Sequence, residues 1–177
     1  VVEVHGLAQQ AATAGAQRMN APAKQPKGRG RQDHATPDDF WDAVIRRFGP
    51  PSVDLAASQD NARAQFFFTE KDDALTKAWA PVCGGRHGWG WLNNPFANTA
   101  AWVKKCQEEA ERGSRILQLC LAAVDSNWYA QRVEGRVYVE PLNPRITFQG
   151  ETAGHMRPLM LLHWGWGYVG CRQWRWK

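Results

Sequence analysis

The chain has 177 residues, a length that fits one domain, and 44% of them are hydrophobic, enough to bury a core. A net charge of +5 favours polyanionic partners, and 16 glycines with 10 prolines predict many loops. No apolar run approaches the length of a bilayer span, the start lacks a secretory signal's pattern, and four widely spaced cysteines (Cys83, Cys106, Cys120, Cys171) without a C-x-x-C pair argue against zinc. The composition predicts a soluble, cytoplasmic protein with free thiols and no metal.

Residues 1–33 are rich in Ala, Gln and Gly and end in the basic run Lys24-Gln25-Pro26-Lys27-Gly28-Arg29-Gly30-Arg31. They read as a flexible tail whose basic end suits phosphates. Order begins with Thr36 as helix N-cap, Pro37 at the first helical position and Asp39 three residues after the cap. Phe40, Val44, Ile45 and Phe48 then share a face, and Gly49-Pro50-Pro51 stops the helix. Residues 52–57 form a short apolar run around Asp54 and predict a buried parallel strand ending in a small-residue turn. Spacing alone favours backbone amides as the partners of Asp54. Residues 65–69 predict a second strand, and residues 80–88 a loop.

Residues 89–92 have strand character, and residues 100–112 have helical composition. Trp102, Val103 and Cys106 are expected inward on that helix, and Lys104, Lys105, Glu108, Glu109 and Glu111 outward, with Gly113 as the stop. Residues 115–122 are the clearest buried strand. A short helix opens at Ser126, and further strands are predicted over residues 136–140, 145–150 and 159–164. Alternating strands and helices indicate an α/β sheet, mostly parallel, with antiparallel pairs towards the end. Residues 165–177 hold Trp166, Tyr168, Trp174 and Trp176 among Gly and Arg, a composition that suits base stacking, a terminal strand or self-association equally.

The turn Asn93-Asn94-Pro95-Phe96 brings an amide, a rigid kink and an aromatic ring to the end of a predicted strand. In open α/β sheets that edge is where ligands bind. An Asn amide offers both an acceptor and donors to an exocyclic amino group, and Phe96 offers a face to a base. The alternative is a plain strand-to-helix turn with Asn98 as N-cap.

A series of motifs accompanies it in order: Thr36-Pro37, Val53-Asp54-Leu55-Ala56-Ala57-Ser58 with Asn61, Asp73-Ala74-Leu75 with Trp79, Leu119-Cys120-Leu121-Ala122-Ala123, Asn127-Trp128 and Arg145-Ile146-Thr147-Phe148. Over residues 33–164 the series resembles the phage-type DNA N6-adenine methyltransferase family. The resemblance implies a Rossmann-like, S-adenosylmethionine-dependent fold acting on DNA without a metal, in the host cytoplasm if phage or prophage encoded. By the same resemblance Asn93, Asn94, Pro95 and Phe96 are the catalytic element. The Asn93 side-chain oxygen and the main-chain carbonyl of residue 94 accept the amino hydrogens of a flipped adenine, and Phe96 stacks on it. Asp54, Ala56 and Ala57 match the cofactor loop, Asp73 the acid that meets the cofactor's adenine, and Asn61 its ribose. Thr36 and Pro37 border its methionine end.

The chain departs from that pattern at Asn94, where a proline is usual, at Leu121-Ala122-Ala123 and at Asn143-Pro144-Arg145. Asn lacks the ring that fixes φ and visits left-handed conformations more readily. A catalytically impaired, methyltransferase-like DNA-binding or phage structural protein is therefore the competing expectation. Target reading is assigned to residues 80–88 and 149–157, where Arg86, His87, His155 and Arg157 are each expected to be solvated surface side chains. Target sequence and oligomeric state have no legible signal.

Overall fold

The run Ile116–Leu121 forms β3, whose six side chains are all buried. A strand buried on both faces must lie inside a sheet with layers on either side. In the computed structural model, which describes residues 35–85, 87–148 and 151–177, β3 lies between β2 (Gly90–Asn93) and β5 (Leu159–Trp164). β1 (Val53–Asp54) flanks β2, and β4 (Tyr138–Asn143) flanks β5. β6 (Gly170–Cys171) and β7 (Trp174–Arg175) both pair with β4. Pairing is parallel from β1 through β3 and antiparallel from β3 to β5 and from β5 to β4. The sheet is thus mixed.

Side chains alternate across the sheet and divide the core in two. Leu92, Ile116, Cys120, Met160 and Leu162 meet Trp102, Val103 and Cys106 of α2 (Thr99–Glu111), beside α3 (Asn127–Arg132). On the other face Trp91, Leu117, Leu119 and Leu161 pack with Phe40, Ala43 and Val44 of α1 (Asp38–Phe48). Asp38 and Asp39 in the first turn of α1 and Arg46 and Arg47 in its last complement the helix dipole. Gly49, at φ 74°, ends the helix with its amide on the Ile45 carbonyl.

Several predicted elements take a different form. α1 begins at Asp38, with Pro37 as N-cap, so Thr36 lies outside it and makes no cap bond. The Pro37 carbonyl accepts the first helical bond, from the Trp41 amide at 2.9 Å, which leaves the Thr36 hydroxyl for another partner. Residues 65–69 form no strand; Phe67 makes a single parallel bridge to Asp54. β1 is itself two residues long, and the chain turns away at Thr69, where Asp72 accepts both the Thr69 amide and hydroxyl. Lys105 and Glu109 are buried, not outward. Glu109 accepts the Trp79 amide at 2.8 Å, Lys105 at 2.7 Å and Arg112 at 2.6 Å, so a pinned loop and two cations compensate its burial.

β4 starts two residues later than predicted and runs on to Asn143. Residues 145–148 form no strand, because β6 and β7 already occupy the outer edge of β4; Ile146 and Phe148 instead enter the core on the α1 side. Of the readings open for the aromatic C-terminus, the structure realises the terminal strand. Trp176 is buried edge-on against Phe40, and its indole donates to the Pro144 carbonyl. Residues 1–34, with the predicted tail over residues 1–33, and Arg86 lie outside the described residues, as do Gln149 and Gly150. Among the described residues no helix is long and apolar enough to cross a membrane, and the cysteines are unpaired.

Candidate active site

β1 has the 66–68 segment on one side and β2 on the other, all running parallel. The chain leaves β1 to one side and returns to its other side, so its connections diverge at the carboxyl ends of β1 and β2. Such a divergence marks the place where α/β sheets generally form a ligand-binding crevice. The two candidate segments flank it: Asp54 to Ala57 follows β1, and Asn93 to Phe96 ends β2. The Leu55 amide donates to the Trp91 carbonyl at 2.8 Å, which keeps the turn after β1 beside the end of β2.

Asp54 is 2% exposed. One carboxylate oxygen accepts the Ala56 amide at 3.3 Å and the other the Arg63 amide at 2.9 Å. The side chain therefore shapes its own loop, as spacing alone favoured. Burial pushes its carboxyl up to about 6, against the two amides and the Arg63 charge, which pull it down. Ala56 and Ala57 keep the turn free of bulk, and Ala57 is tied to Phe68 by a 2.9 Å backbone bond. The Asn61 side-chain oxygen accepts the Ser58 amide at 2.6 Å, closing the far side of the loop.

Arg63 joins the loop to the segment before α1. Its guanidinium donates to the Thr36 carbonyl and pairs with Asp38 at 2.8 Å. Thr36, buried at the foot of α1, in turn receives the Asn93 side-chain amide on its hydroxyl at 3.3 Å. Thr36, Asp54, Arg63 and Asn93, spread over nearly sixty positions, thus meet in one linked cluster. Asp73 stands apart from it. It sits at φ 50° between two short 3₁₀ turns, is exposed, and bonds within its own turn to Glu70 and Thr76.

Beyond Asn93 the motif divides. Asn94 is 2% exposed; its side-chain oxygen accepts from Gln118 at 2.8 Å, and its amide nitrogen donates to the Pro95 carbonyl at 3.1 Å. Its φ is not in the left-handed region, where Asp73 is the one non-glycine among the described residues. The departure from proline thus carries no left-handed backbone. Phe96 opens a 3₁₀ turn, Phe96–Asn98, that leads into α2, with the Thr99 hydroxyl donating to the Phe96 carbonyl. Asn98 precedes α2 but makes no side-chain cap bond.

The half-buried Phe96 ring meets two residues that sequence reasoning placed elsewhere. Phe148, expected in a strand, lies 6.3 Å away between ring centroids, and His155, expected on the surface, lies 6.0 Å away. Phe148 and His155 also meet edge-on at 5.3 Å. His155 is held by its amide on the Ile146 carbonyl and by its ring on Glu151. His87 and Arg157 are exposed as expected.

A family model described as DNA N-6-adenine-methyltransferase (Dam) matches residues 24–158, about three-quarters of the chain. The chain belongs to the Dam family. The match takes in Thr36, the Asp54 turn, the Asn93–Phe96 motif and the Phe148–His155 contact, but stops before β5. "DNA N-6-adenine-methyltransferase" of Escherichia phage T1 is 29% identical over 118 residues, 61% of this chain and 48% of that protein. The chain therefore spans about half the length of this curated Dam relative. "Putative methyltransferase YfdM" of Escherichia coli (strain K12) is 32% identical over 77 residues, 44% of this chain and 84% of that protein.

Residues missed by sequence reasoning are Arg63, Gln118, Phe148 and His155 as participants in this site. Gln118 carried a signal, a lone amide inside the apolar run Ile116–Leu121, because a buried amide needs partners. Arg63 carried none, since its partners are distant in sequence.

Proposed function

We propose that this Dam-family chain transfers a methyl group from S-adenosylmethionine to N6 of an adenine in DNA, with the base turned out of the duplex. The observation that carries the reading is the Asn93-Asn94-Pro95-Phe96 turn at the carboxyl end of β2, beside the small-residue turn after β1. The Asn93 side-chain oxygen and the Asn94 carbonyl accept the two hydrogens of the adenine amino group. The amine is conjugated with its ring and therefore a poor nucleophile. Two acceptors that draw its hydrogens out of the ring plane localise the nitrogen lone pair, and most of the rate then comes from positioning. Thr36 supports this by taking one Asn93 amide hydrogen, which defines the acceptor end of that side chain. Phe96, backed by Phe148 and His155, offers the face on which the base stacks.

The residues around the crevice fit the cofactor: small side chains at Ala56 and Ala57, polar groups at Thr36 and Asn61, and Pro37 at its border. Asp73, on its own exposed turn, is assigned to the cofactor's adenine. When bound, S-adenosylmethionine supplies an electrophilic methyl group. That methyl group would pass from sulfur to the adenine nitrogen held by Asn93 and the Asn94 carbonyl, with the bonding electrons left on sulfur and the displaced amino proton released to solvent. For the DNA backbone, the groove between α2 and α3 offers Lys104 and Arg132 beside Trp128.

The test is transfer of a labelled methyl group to DNA by the wild type, Asn93→Ala and Phe96→Ala. Transfer by the wild type and its loss in Asn93→Ala is the expected result. Salt-dependent DNA binding with no cofactor binding by calorimetry would select the non-catalytic reading instead.

A further inference from the structure

Asn94 stands where a proline ring is expected, yet it sits in the core with its side-chain hydrogen bonds running one way. The Trp164 indole donates to the Gln118 side-chain oxygen at 2.9 Å, Gln118 donates to the Asn94 side-chain oxygen at 2.8 Å, and Asn94 donates to the Pro95 carbonyl at 3.1 Å. Trp164, Gln118 and Asn94 are 1%, 0% and 2% exposed. An indole nitrogen can only donate. It therefore decides which end of the Gln118 amide faces it and which end reaches Asn94. The Asn94 amide is oriented in the same way. Reversing either amide would place donor against donor where water does not reach.

We propose that this chain of hydrogen bonds, begun by Trp164 on β5 and relayed by Gln118 on β3, replaces the proline ring as the device that fixes the main chain at residue 94. Gln118 and Trp164 are then positioning residues for the motif carbonyl. Sheet register makes the relay possible: Gln118 faces Leu92 of β2 and Leu162 of β5, two residues before Asn94, which directly follows β2, and Trp164, the last residue of β5. Side chains two apart share a face, so all three amphiphilic groups emerge on the α2 side of the sheet. A single amide in the otherwise apolar β3 thereby has a use that packing does not give it. The proposal rests on the methyl-transfer reading for its effect on rate, and on geometry alone for the relay itself.

Two measurements test it separately. In nitrogen-15 NMR spectra, Asn94→Ala should shift the Trp164 indole signal, assigned from its loss in Trp164→Phe, although the two residues are linked only through Gln118. An unmoved signal would overturn the relay, whether or not the protein transfers methyl groups. In the transfer assay, Gln118→Leu should lower kcat on the order of 100-fold, the effect of a misplacement of about 1 Å, with KM for S-adenosylmethionine unchanged. The double variant Asn94→Pro/Gln118→Leu should recover most of that loss, because the ring then does what the relay did. An unchanged kcat in Gln118→Leu, or a double variant no faster than the single, would overturn the positioning role. A wild type without transfer would refute the functional reading while the indole signal still decides the relay.

Discussion

Asp54 is the residue whose chemistry can be read most directly from its surroundings. Its carboxyl is raised from 3.8 to about 6 by burial, so the folded chain holds this proton more tightly than the unfolded one. The sign follows from linkage: the stability contributed by protonated Asp54 is full below about pH 4 and is lost as pH rises through about 6. The loss is on the order of 3 kcal/mol. Asp54→Asn cannot ionise, but one of the Ala56 and Arg63 amides loses its acceptor, so the diagnostic is pH dependence and not absolute stability. The melting temperature of Asp54→Asn relative to wild type should climb between about pH 4 and pH 6 and level off above; a constant difference would contradict the assignment. At Phe96, truncation removes a stacking face worth about 1–3 kcal/mol per base. Phe96→Ala should weaken binding to single-stranded, adenine-containing DNA by roughly 5- to 150-fold, and Phe96→Tyr should restore it. Equal binding by all three forms would remove Phe96 from the base site.

Among the elements, α2 shows why a helical pattern cannot be read from composition alone. Its run of Lys and Glu predicts a solvated face, and Lys104 with Glu108 fits: the first is exposed, the second half-exposed, and they lie 3.6 Å apart. Lys105 and Glu109, one position on, turn inward at 2.7 Å. Burial pushes the Glu109 carboxyl up, but Lys105, the Trp79 amide and Arg112 outweigh it and hold it below the usual carboxylate range. Glu109→Ala would leave Lys105 buried without its carboxylate, a loss of about 3–5 kcal/mol, whereas Glu108→Ala should cost less than about 1 kcal/mol. Equal costs in denaturant titrations would show that the buried pair carries no special weight. The same contrast explains what was legible. Residues 159–164 were read with their correct ends because a continuous apolar run reports burial on both faces. Residues 145–150 have equal strand character, but the described part, residues 145–148, found the edge of β4 taken, a fact that depends on the last eight residues. The partners of Arg63, Gln118 and His155 are set by register and crossover, which no local pattern encodes. The motif itself was legible because strand, turn and helix follow one another in sequence.

For the whole molecule, the C-terminus completes the sheet that the site depends on. β6 and β7 cover the outer edge of β4, and Trp176 closes the core over Phe40, on the helix whose first turn is tied to Arg63. Trp176→Ala should lower stability by about 3–5 kcal/mol in chemical denaturation, and an unchanged midpoint would show that the C-terminus is dispensable. The two faces of the sheet serve different ends: α1 and Thr36 reach the site from one, Gln118 and Trp164 from the other, and they converge on Asn93 and Asn94. Under the proposed function that convergence supplies two adjacent acceptors for an exocyclic amino group that carries two hydrogens, and the Dam-family match favours adenine's over cytosine's. The measurement that addresses it most directly is mass spectrometry of nucleosides from DNA incubated with the protein and labelled S-adenosylmethionine. Methyl transfer to adenine predicts label in N6-methyladenine, absent with Asn93→Ala. Label in N4-methylcytosine, or no labelled nucleoside from a protein that is folded and binds the cofactor, would contradict it.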